Sequence, residues 1–148
     1  MKSKPLFDTS KIIVYTDGGA RGNPGPAAIG VVIENPSTLL RAREYGEYLG
    51  DKTNNQAEYE AVIFALKKLK QLVGKKKTKE AEIEIRLDSE LVVKQLTGEY
   101  KIKEPELQPL FIQVWNLRLD FKNMNFIHIP REKNRRADAI VNKILDRK

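Results

Sequence analysis

Residues 11–33 read KIIVYTDGGARGNPGPAAIGVVI. Lys11 to Asp17 is apolar, β-branched and closed by glycines, which predicts a strand. Gly18 to Pro26 reads as a turn making a tight connection to a second strand, Ala27 to Ile33. Working outward, Asn35-Pro36-Ser37 is a further turn, and Leu40 to Leu49 is a third strand, more polar and exposed on one face. Asn54 to Val73 has helical periodicity, and Gly74 to Lys79 is a lysine-rich loop. Glu82 to Leu87 alternates with period two, which puts Ile83, Ile85 and Leu87 on one face. Ser89 to Leu96 is a short helix. Pro105 to Leu119 is a longer one, its inner face made by Leu107, Leu110, Phe111, Val114 and Leu117. Lys122 to Ile129 is a fifth strand, and Asn134 to Lys148 the closing helix. With no repeat, linker or low-complexity segment, the order β-β-β-α-β-α-α-β-α predicts an N-terminal extension, 1–10, and one α/β domain, 11–148.

A length of 148 residues fits one domain with its own core. The 41% hydrophobic and 32% charged fractions describe a solvated globular surface rather than disorder. Zero cysteines exclude a disulfide scaffold, a thiolate zinc site and a cysteine nucleophile. A single histidine excludes a three-histidine zinc site. No apolar run approaches the ~20 residues that span a bilayer, and Met1 to Ser10 has no apolar core of a secretory signal. The expected compartment is therefore the cytoplasm, with no membrane partner. A net charge of +7 favours polyanionic partners, nucleic acid above all.

Four acids stand in unusual places. Asp17 ends an apolar strand, although a turn aspartate before Gly-Gly is the simpler account. Glu58 shares a helical face with Ala61, Val62, Ala65 and Leu69, while Glu60 points to solvent. The helix dipole explains an acid near a helix start, but not one on the apolar face. Asp88 lies between a strand and a helix, where an N-cap is the alternative. Asp138 is in line with Val141 and Leu145 early in the last helix, where the dipole again offers an ordinary reason. Sites in open α/β sheets form beyond the carboxyl ends of the strands. Parallel strands would bring all four acids to that edge, where they would repel one another. Divalent cations relieve this, and oxygen-only ligands suit Mg2+ or Mn2+. Joined to a basic chain, the cluster points to two-metal phosphodiester chemistry.

The glycine-rich stretch matches neither GxGxxG nor GxxxxGK[ST], which argues against a nucleotide-cofactor loop. Its amides, at Gly18 and Gly19, and Asn23 suit close approach to a nucleic-acid backbone.

Taken together, YTDGGARGNPGPAAIGVVI, TNNQAEYEAVIFAL, RLDSELVVKQL and IPREKNRRADAIVNKIL resemble type-1 ribonuclease H in order and spacing, from Lys11 to Leu145. The resemblance implies a five-stranded mixed sheet, second strand antiparallel, flanked by helices. It implies an endonuclease that hydrolyses the RNA strand of RNA–DNA hybrids, leaving 5′-phosphate and 3′-hydroxyl ends. Two Mg2+ ions per site are implied, with Mn2+ as a substitute, and no obligate protein partner is evident. The family acids map to Asp17, Glu58, Asp88 and Asp138. Asp17 would bridge both ions, Asp138 would help hold the one that activates water, and Glu58 and Asp88 the one at the leaving oxygen. Asn23 and Asn55 match minor-groove contacts able to read the ribose 2′-hydroxyl. Thr53 and Asn54 match residues near a DNA phosphate, although Thr and Asn before a helix are also ordinary caps.

Three departures accompany the resemblance. Pro130 to Asn134 lacks the histidine of the family's flexible loop, and His128 falls inside a strand. Thr97 to Glu104 is too brief for a basic protrusion and leaves only Lys101 and Lys103 there. Glu90 stands where other members often have a substrate-contacting glutamine, and its charge would repel phosphate. A short-protrusion branch, in archaeal and some bacterial members, has a similar pattern. The Gly74–Lys79 lysines are expected at the far end of their helix, as a solvated run. Two other readings are a hybrid-binding module without activity and a transposase- or resolvase-like DNA nuclease.

Overall fold

A computed structural model describes residues 11–36 and 41–148. The expected extension, 1–10, lies outside the described residues, as do Ser37 and Leu40. Five strands follow in chain order: β1 (Ile12–Ala20), β2 (Gly25–Glu34), β3 (Arg43–Lys52), β4 (Glu82–Leu87) and β5 (Asn123–His128). The helices are α1 (Asn54–Val73), α2 (Glu90–Leu96), α3 (Gln108–Arg118) and α4 (Arg135–Leu145). The sheet order is β3-β2-β1-β4-β5. β2 is antiparallel to both neighbours, whereas β1 pairs parallel with β4 and β4 with β5. Four strands therefore point one way, as the resemblance implied.

Strand alternation sorts the side chains. Ile12 and Val14, Val31 and Ile33, Ile83, Ile85 and Leu87, and Met124 and Phe126 face one core shared with α1, α2 and α3. A smaller cluster, Ala28 with Val141 and Leu145, seats α4 on the other face. Each fully buried Ile, Leu or Val contributes about 1.5–3 kcal/mol, so the first face dominates stability. The expected inner face of Pro105 to Leu119 holds: Leu107 and Val114 are buried, and Leu110, Phe111 and Leu117 pack against the core. Tyr59 of α1 donates from its hydroxyl to Gln95 Oε1 of α2 at 2.8 Å, so both buried polar groups are paired.

Two sequence expectations change. Gly18 to Pro26 is not all turn: β1 runs on to Ala20 and β2 begins at Gly25. Gly18 pairs with Ile29 and Gly19 with Ala28, so both glycines are strand residues. A Cβ on Gly18 would lie 2.2 Å from the Ala57 carbonyl group, so the glycine admits α1 against the strand. Gly30 admits α4 in the same manner, 2.2 Å from the Ala137 oxygen. β3 ends at Lys52 instead of Leu49, because a bulge lets it continue: Ala27 pairs with Gly50 but Ala28 with Tyr48. Glu60 is half-buried rather than fully solvent-facing. Pro105–Leu107 is a short 3-10 turn ahead of α3. No described helix is long and apolar enough to cross a membrane.

Candidate active site

Parallel strand ends and two helix starts converge on one edge of the sheet. Asp17 lies in β1 opposite Gly30, and Asp88 directly follows β4. One oxygen each of Asp17, Glu58 and Asp88 fall within 4.8 Å of one another. Asp138 lines the same cavity, about 340 Å³, outside that triplet.

The local alternatives are now separable. Ser89, not Asp88, caps α2: its hydroxyl accepts the Val92 N–H at 3.2 Å. No acid lies in the first turn of α1, so the helix dipole does not account for Glu58. Asp17 sits within a paired strand, not in a turn. Asp138 does lie in the first turn of α4, and its Oδ2 accepts from Asn142 Nδ2 at 3.2 Å.

Burial raises the pKa of Asp17 to about 7, with the charges of Asp88 and Asp138 adding to the effect. Burial likewise holds Glu58 well above the usual carboxylate range, helped by Asp17 and Asp88 and opposed by the Gly18 N–H that donates to it. Glu58 Oε2 is buried with no hydrogen-bond partner. A bound cation would remove these costs together. The donors are oxygens only, which fits Mg2+ or Mn2+ and not a thiolate or imidazole metal.

Gly18, Gly19 and Asn55 line the cavity, and so does Asn54. Asn54 Oδ1 accepts the Ala20 N–H at 2.8 Å, while Asn23 Oδ1 accepts the Asn54 N–H at 3.0 Å. Asn23 is exposed beside the cavity rather than within its lining. Thr53 caps α1: its hydroxyl accepts the Gln56 N–H at 3.1 Å, and Gln56 Oε1 accepts the Thr53 N–H at 2.8 Å. His128 ends β5, is exposed, and does not line the cavity. Glu90 is exposed and paired along its own helix with Lys94 at 3.0 Å. The lysine run lies beyond the opposite end of α1, about 30 Å from its start for a 20-residue helix.

Sequence reasoning missed two residues here. Arg131 is a cation in the lining of the acidic cavity. Asn134, 1% exposed, contacts both β1 and Asp88. Both fall in a stretch judged by its missing histidine, and no periodicity marks a polar residue in a 3-10 turn.

Residues 15–144 match the family described as "Reverse transcriptase-like". The chain is 40% identical over 136 residues to "Ribonuclease HI" of Halobacterium salinarum, covering 92% of this chain and 65% of that protein. It is 50% identical over 62 residues to a "Ribonuclease H" of Polynucleobacter asymbioticus, covering 40% of this chain and 37% of that one. The chain thus spans less than two thirds of these curated relatives. Among solved structures it is similar to LC11-RNase H1 in complex with an RNA/DNA hybrid, at TM-score 0.83 and 50% identity, over 92% of this chain and 97% of that one. It is also similar to RNase H1 of Halobacterium salinarum, at TM-score 0.84 and 39% identity, over 94% of this chain and all (100%) of that one.

Proposed function

The chain belongs to the type-1 ribonuclease H family, and on that premise we propose that it is a metal-dependent endonuclease that hydrolyses the RNA strand of RNA–DNA hybrids. The observation that carries this reading is the triplet Asp17, Glu58 and Asp88, one oxygen of each within 4.8 Å of the others, with Asp17 and Glu58 buried and Asp88 partly so. Binding a duplex needs no such cluster, and its repulsion opposes folding. Asp17, Glu58, Asp88 and Asp138 would hold two divalent ions, Mg2+ or Mn2+ in its place. Such ions supply charge stabilisation at phosphorus and a nucleophilic hydroxide at neutral pH.

In the reaction, water releases a proton to solvent as its oxygen bonds to phosphorus, and the P–O3′ bond breaks. The 3′ oxygen takes a proton, leaving a 3′-hydroxyl and a 5′-phosphate. The chain's own groups orient this step. The Gly18–Gly19 backbone borders the cavity without side chains to exclude a duplex. Asn55 and Asn23 would read the ribose 2′-hydroxyl in the minor groove. Thr53 would lie near a DNA phosphate while it caps α1. The proposed domain is 11–148, and the proposed compartment the cytoplasm.

The test uses an end-labelled RNA–DNA hybrid with Mg2+, Mn2+ or chelator, beside RNA–RNA and DNA–DNA duplexes. Metal-dependent internal cuts in the hybrid's RNA strand, with the stated ends, are expected. Tight binding without cleavage would make the protein a recognition module. Cleavage of the DNA duplex would favour a transposase-like nuclease.

A further inference from the structure

Asn134 occupies the N-cap position of α4, yet its side chain makes no cap hydrogen bond. An asparagine there ordinarily turns its carbonyl oxygen onto the N–H of the second or third helical residue. Here Oδ1 is buried and has no partner. The Nδ2 group instead donates to the Thr16 carbonyl at 2.8 Å and to Asp88 Oδ2 at 3.0 Å. Both partners are acceptors, so an amide NH2 satisfies them where a carboxylate or a single hydroxyl would not. Forgoing the cap and leaving a buried carbonyl unpaired are both unfavourable. The stability of α4 alone therefore does not select this arrangement.

We propose that Asn134 is a positioning residue that sets the spacing of Asp17 and Asp88. This rests on the metal-dependent reading above. One N–H holds β1 at the residue before Asp17, and the other stops rotation of the Asp88 carboxylate. Asp88 then meets the cavity with Oδ2 engaged and its other oxygen left for a cation. Outer partners of metal ligands commonly govern affinity 10–100-fold.

The test is Mg2+ binding to the metal-free protein by calorimetry, for wild type, N134A, D88A and D88A/N134A, with hybrid affinity measured in chelator. N134A is expected to weaken Mg2+ about 10-fold, to leave hybrid affinity in chelator unchanged, and to cost clearly less on the D88A background than in wild type, where only the arm through Thr16 remains. Wild-type Mg2+ affinity in N134A, or a full further loss in the double variant, would overturn the proposal. If N134A does not fold, wild type decides by NMR. The Asn134 side-chain amide protons are expected to shift during Mg2+ titration, and resonances unmoved at saturation would overturn the proposal. Wild type that binds Mg2+ in this way but leaves the hybrid intact would overturn the nuclease reading and spare the positioning role. Wild type that cleaves the hybrid while N134A matches its Mg2+ affinity would overturn the positioning role alone. Wild type that binds no Mg2+ would overturn both.

Discussion

Asp17 links the pH behaviour of the metal-free protein to its site. Its pKa rises on folding from 3.8 to about 7, mainly through burial. The folded state then holds a proton that the unfolded state has released, so stability falls as pH rises from about 4 to about 7. A thousandfold change in proton affinity corresponds to roughly 4 kcal/mol. Denaturant melts without metal should show wild type losing more stability between pH 5 and pH 8 than D17N does. Equal losses would contradict the electrostatic account. The acids themselves were legible, Glu58 because a carboxylate on an apolar helical stripe has no local reason. Asn134 was not legible, because its partners Thr16 and Asp88 are 118 and 46 residues away. A lone asparagine ahead of a helix reads as a cap.

At the scale of elements, helix–strand approach is set by missing side chains. G18A is expected to destabilise by about 3 kcal/mol or more, because its Cβ would meet rigid backbone of α1 at 2.2 Å. G19A is the control: its Cβ would lie 3.6 Å from Val141 Cγ1, an ordinary contact, and should cost less than about 1 kcal/mol. Denaturant melts of both variants test this, and equal effects would refute the close-packing explanation. T53A should cost about 1 kcal/mol through loss of the α1 cap, read by the same melts. Most elements were legible from periodicity, and β4 has the expected bounds. The extent of β1 was not, because Gly-Gly is ordinary turn chemistry, and only α1 lying on Gly18 shows why a strand needs glycine there. The bulge at Gly50 was hidden for a like reason: a glycine before Asp51 and Lys52 reads as the end of a strand.

For the molecule as a whole, folding assembles a repelling cluster that metal relieves. Ligands that bind only the folded state stabilise it, by about 2.7 kcal/mol at a hundred times Kd. Mg2+ should therefore raise the Tm of wild type, and raise that of D17N much less. Scanning calorimetry would measure both, and an unchanged wild-type Tm would argue against a preformed site. Element order alone did not pair the strands. The parallel alignment of β1, β4 and β5 depends on contacts distant in sequence, and four spaced motifs supplied it through family resemblance. Convergence of the acids then followed from topology. The most direct measurement is cleavage of an end-labelled RNA–DNA hybrid in Mg2+ by wild type and by D17N, E58Q, D88N and D138N, with hybrid binding followed in parallel. The expected result is internal cutting of the RNA strand by wild type, with cutting lost and binding kept in the variants. An intact hybrid with wild type, or turnover near the wild-type rate in D17N, would contradict the account.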